Sequence, residues 1–140
     1  MAATTPLISD VMPTFRFRDA DAAIRWLVDV LGCRELTVNR RDDGLVLHAE
    51  LTYGTGALML GSFPDQVGEQ LPDMDLGGSS TYLIHDDDAV VEATWERAQA
   101  AGAPVVDPFT HKPYGGCSFT VQGPEGHYWS VGSYRPQVPR

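Results

Sequence analysis

The sequence predicts an α+β fold built from two βαβββ modules that arose by internal duplication. Three observations carry this. Leu60-Gly61-Ser62-Phe63 and Val131-Gly132-Ser133-Tyr134 match position for position, and each closes a strand–turn–strand pattern. Each half has a helix introduced by aspartates, carrying a tryptophan and stopping before a glycine. Residues 64–79, rich in Pro, Asp, Gly and Ser and without sustained periodicity, separate the halves. Two copies make a duplicated supersecondary unit, not a solenoid.

Thr14-Phe15-Arg16-Phe17-Arg18 alternates polar and aromatic residues, as a half-buried strand does. Asp19 to Asp21 offer capping side chains. A helix is predicted to about Leu31, with Ala23, Trp26, Leu27 and Val30 on its apolar face and Gly32 as its stop. A strand near Glu35 to Asn39 precedes strands at Val46 to Leu51 and Ala57 to Leu60. The order then repeats. Ser80 to His85 is a strand, Asp86-Asp87-Asp88 a cap, and Ala89 to Ala101 a helix ended by Gly102. Pro104 to Val106 is a short strand. Ser118 to Val121 and Tyr128 to Gly132 close the module around Gly123-Pro124-Glu125-Gly126. The 140 residues make one domain: module one at about 9–63, connector 64–79, module two at about 80–135.

Composition narrows the function. A net charge of −9 argues against nucleic acid. It suits a cationic ligand, and equally simple solubility. No apolar stretch approaches the ~18 residues of a membrane span. No signal peptide is visible at the N-terminus, so a cytoplasmic location is expected. Cys33 and Cys117 have no metal-type spacing and are expected to stay reduced.

The order of elements, the aspartate-started helix ending at Leu31-Gly32, and the segment from Tyr114-Gly115-Gly116 to Pro124-Glu125-Gly126-His127-Tyr128-Trp129 resemble the vicinal oxygen chelate superfamily. This is the glyoxalase, bleomycin-resistance and extradiol-dioxygenase group. The resemblance covers nearly the whole chain. It implies curved mixed sheets enclosing a cleft and a homodimer. Gly123 stands where the family's turn usually begins with Asp.

In metal-dependent members a His or Gln comes from the first strand of each copy and a Glu from the last. By that resemblance the positions here are Met12 (or Pro13), Met59, Thr81 and Ser130. None is a usual ligand for zinc, nickel or iron. The expectation is therefore no inherited metal and no cofactor. Metal-dependent glyoxalase and extradiol chemistry would go with it.

Strand alternation assigns faces. If those positions look into the cleft, so do Thr14, Arg16, His48, Glu50, Leu83, His85, Ser118 and Thr120. His48 and Glu50, two apart on one strand, read as a base or hydrogen-bonding pair in the cleft, or a carboxylate for a cationic ligand. They read equally as a solvated surface with Arg16 partnering Glu50. His85 reads as cap-adjacent, and His111 and His127 as loop residues. Asp86 to Asp88 read as a helix start. Trp26 and Trp95 read as core, and Cys117 as a buried inert thiol. Tyr114, before two glycines, is a candidate lid or ordinary turn residue.

Two functions follow. One is a metal-independent binder of the bleomycin-resistance type, sequestering a hydrophobic or cationic small molecule. Met12, Thr14, Arg16, His48, Glu50, Met59, Thr81, Leu83, Tyr114, Ser118, Thr120 and Ser130 would contact it. The other is a lyase or isomerase acting on a small carbonyl compound, with His48 or Glu50 as base and Arg16 as oxyanion partner.

Overall fold

The computed structural model describes residues 12–63, 66 and 80–135. Most of the expected connector 64–79, and residues 9–11 of the expected first module, lie outside these. The chain divides into two compact units, and residues 29–32 group with the second.

In the first unit, β1 (Thr14–Phe17) leads into α1 (Ala20–Trp26). Asp19 caps α1, its carboxylate accepting from the Ala22 amide at 3.0 Å. The helix does not run on as α to Leu31. It widens into a π turn over Leu27–Leu31, and Gly32 (φ 85°) ends it. Next come β2 (Arg34–Arg40), β3 (Val46–Tyr53) and β4 (Gly56–Ser62). The sheet order is β1-β4-β3-β2, with β1 parallel to β4 and the other pairs antiparallel.

The second unit repeats the plan. β5 (Ser80–Ile84) is followed by α2 (Asp88–Ala100), β6 (Val105–His111), β7 (Cys117–Gln122) and β8 (Tyr128–Gly132). The order is β5-β8-β7-β6, again with one parallel pair. Asp87 caps α2 through a 2.9 Å bond from the Ala89 amide. β6 runs further than expected and contains Pro108. An edge strand tolerates the missing donor, and the register shift between Asp107 and Thr110 spans that proline. A tight turn at Pro124–Gly126 links β7 to β8, with Glu125 itself left-handed (φ 59°).

Each sheet buries one face. Phe15, Phe17, Ala49, Leu51, Leu58 and Leu60 are buried in the first unit, with Ala23, Ile24 and Leu27 from its helical segment. Phe119, Val121, Trp129 and Val131 are buried in the second, with Val91, Thr94 and Ala98 of α2. Each large apolar side chain so buried contributes about 1.5–3 kcal/mol. Thr94 satisfies its hydroxyl on the Val90 carbonyl at 2.8 Å. Trp26 and Trp95 are only half-buried, and Trp95 packs on Phe119 with ring centroids 5.3 Å apart. No helix among the described residues is long and apolar enough to cross a membrane.

Candidate functional site

Among the described residues no helix covers the opposite face of each sheet, and strand pairing sets which residues reach it. In the first unit Thr14 pairs with Met59, Met59 with Glu50, and Glu50 with Thr37. Arg16 and His48 stand on the same face by alternation. The structure thus brings Thr14, Arg16, His48, Glu50 and Met59 together. Met12, half-buried, lies just before β1.

Within this group His48 Nε2 is 3.2 Å from a Glu50 carboxylate oxygen. Both side chains are partly exposed. If Nε2 carries the proton, it donates to Glu50, leaving Nδ1 as an acceptor. The expected Arg16–Glu50 partnership gives way to this pair. Arg16 instead extends along β4 and donates a long 3.5 Å bond to the Ser62 carbonyl.

The second unit has a site of its own. A cavity of about 290 Å³ lies on its open face. Tyr82, Tyr114 and Tyr134 supply rings, and Ser118, Thr120 and Ser130 supply hydroxyls. Thr120 and Ser130 are cross-strand partners with hydroxyl oxygens 2.6 Å apart. Tyr82 donates to the Tyr134 carbonyl at 2.8 Å. Burial, with Tyr114 nearby, pushes its phenol above the ordinary value. Tyr114 stands edge-on to Tyr134, with ring centroids 5.2 Å apart. Lys112 closes one side, its ammonium 2.9 Å from the Asp107 carboxylate.

Two expected site residues lie elsewhere. Thr81 pairs with Trp129 and Leu83 with the buried Val131, which places both on the helix-covered face. Tyr82, on the opposite parity of β5, pairs with Ser130 and lines the cavity. The expected register of β5 was off by one residue. The cue was available, because Ser80 precedes its capping Asp87 by the same interval as Met12 precedes Asp19. Asp107, Lys112 and Tyr134 also reach the cavity unforeseen. Only β6 pairing Asp107 with Thr120 brings that carboxylate round.

With this register of β5, the positions that the resemblance assigns to metal ligands become Met12, Met59, Ser80 and Ser130. Their thioethers and hydroxyls do not fit a catalytic zinc, nickel or iron ion, which takes imidazole, carboxylate or thiolate. A separate cluster on the helix-covered side of the second sheet does offer such donors. Asp88, His111 and Cys117 have ligand atoms within 4.8 Å of one another. His85 is cap-adjacent, its Nδ1 accepting from the Asp87 amide at 3.1 Å. His127 is buried.

Residues 11–131 match the sequence profile of the Glyoxalase/Bleomycin resistance protein/Dioxygenase superfamily. The chain belongs to this superfamily. An uncharacterized protein of Mycobacterium bovis is 33% identical over 116 residues, covering 81% of this chain and 76% of its own. Among solved structures, TioX from Micromonospora sp. ML1 is 31% identical with a TM-score of 0.69, covering 89% of this chain and 97% of its own. A lactoylglutathione lyase from Agrobacterium tumefaciens superposes with a TM-score of 0.65 at 24% identity, over 89% of this chain and 92% of the lyase. That second likeness is one of fold. Within the superfamily, this chain combines the shared sheets with a phenolic second face and a His–Glu pair on the first.

Proposed function

We propose that this superfamily member is a small-molecule binding protein of the bleomycin-resistance type, holding a flat hydrophobic or cationic ligand without an inherited metal. The observation that carries the reading is the cavity walled by Tyr82, Tyr114 and Tyr134 and floored by small hydroxyls. Tyrosine rings take aromatic planes and cations alike. The hydroxyls fix orientation without demanding one charge state. The net charge of −9 favours approach of a cation. The reading includes a cytoplasmic homodimer and no cofactor.

Thermal-shift screening against aromatic and amphipathic cations tests it. A binder raises the melting temperature in a concentration-dependent way. Tyr114→Ala removes an exposed ring and should weaken binding about threefold to tenfold without unfolding the chain. No shift with any compound, or a shift indifferent to Tyr114, would sink the reading. So would a tightly held metal ion on the open face.

One observation favours a second reading, a glyoxalase-like lyase or isomerase acting on a small carbonyl compound with a side-chain base. The 3.2 Å His48–Glu50 contact orients an imidazole as a base is oriented. Arg16, on the same face, would hold the developing oxyanion. Glu50→Gln should then slow turnover of a substrate found by screening, and an unchanged rate excludes the pair.

A further inference from the structure

The geometry points to a transition-metal site formed by Asp88, His111 and Cys117, suited to Zn2+, on the helix-covered side of the second sheet. It lies across the sheet from the tyrosine cavity and does not depend on the binding reading. Three elements build it. His111 at the end of β6 is the cross-strand partner of Cys117 at the start of β7. Asp88, in the first turn of α2, lies over both.

The donors are one sulfur, one imidazole nitrogen and one carboxylate oxygen, mutually within 4.8 Å. Bonds of about 2.0–2.3 Å to a tetrahedral ion place donors ~3.5 Å apart, so closure needs only side-chain torsions. Thiolate and imidazole select against calcium and magnesium and suit zinc. The fourth position is left to water or an external ligand.

Supporting contacts hold the donors. Ser133 Oγ accepts from the Cys117 amide at 2.9 Å and lies 3.7 Å from its sulfur. The ring of Phe109 stands edge-on to His111 at 5.7 Å. Cys117 has no exposed surface, whereas Asp88 and His111 are exposed and give an ion its way in. The N-terminus of α2 contributes roughly half a positive charge. A bound thiolate and carboxylate contribute two negative ones, so attraction wins. A proton relay fits less well. The ligand atoms of Asp88, His111 and Cys117 all lie within 4.8 Å of one another, so the groups converge instead of standing in line.

The test uses the full chain stripped by a chelator and titrated with Co2+, with Zn2+ as competitor. One equivalent should bind, with a thiolate-to-cobalt charge-transfer band and a rise in melting temperature. His111→Ala alters an exposed residue and should keep the fold while weakening Co2+ by at least about tenfold. Cys117→Ser should abolish the band. If that buried substitution prevents folding, His111→Ala decides alone. A wild-type chain with no charge-transfer band overturns the proposal. So does a band whose strength and affinity are unchanged in His111→Ala.

Discussion

The guanidinium of Arg16 rests against the bare backbone of Gly61: a Cβ on that glycine would lie 2.7 Å from Arg16 Nη1. The second unit has its counterpart at Gly132, where a Cβ would lie 2.6 Å from the Tyr82 hydroxyl. The repeated glycine that betrays the duplication is thus a space reserved for a long side chain from the neighbouring parallel strand.

Gly132→Ala should therefore destabilise the chain by about 1–3 kcal/mol in urea unfolding. The phenol could swing away, but the Ser118 Cβ at 2.8 Å cannot. Displacing Tyr82 breaks its bond to the Tyr134 carbonyl, so on the proposed binding function affinity should fall in the same variant.

Asp87→Ala should cost about 1 kcal/mol, read as a lower urea midpoint with unchanged slope. It removes the acceptor for the Ala89 amide. Asp19→Ala should act alike on α1, through the Ala22 amide.

Phe17→Ala and Arg16→Ala separate the two faces of β1. Phe17 has no exposed surface, and its loss should cost ~3–5 kcal/mol. Arg16 is exposed, and its loss should stay within roughly 0.5–1 kcal/mol. Equal costs in thermal unfolding would contradict the face assignment.

Burial pushes the Cys33 thiol from its ordinary value of 9.0 up to about 12. The unfolded chain loses this proton first as pH rises. Cys33 thus supports folding fully below pH 9, and that support drains away between pH 9 and about 12. A disulfide-exchange reagent at pH 8 should label Cys33 only after denaturant is added. Rapid labelling of the native chain, assigned by mass spectrometry, would contradict this.

Where alternation was strict, the sequence was legible. In β7 the buried Cys117, Phe119 and Val121 interleave with Ser118, Thr120 and Gln122, and the faces followed directly. In β5 both parities carry an apolar residue, Tyr82 and Ile84 against Leu83, so the pattern alone could not choose. The short strand expected at Pro104 to Val106 runs on to His111, because an edge strand needs no donor at Pro108. The cluster of Asp88, His111 and Cys117 has no readable spacing. It exists only because one strand pairing and one helix start bring distant positions together.

The two-residue period of β7 has a further consequence for how this chain can change. Ser118 and Thr120 border the cavity, while Cys117, Phe119 and Val121 hold the strand to α2 and its surroundings. On the proposed binding function, taste for a ligand and robustness of the scaffold are therefore written on alternate letters of the same six-residue word. A library that varies Ser118 and Thr120 changes the cavity border while leaving the buried letters of β7 in place.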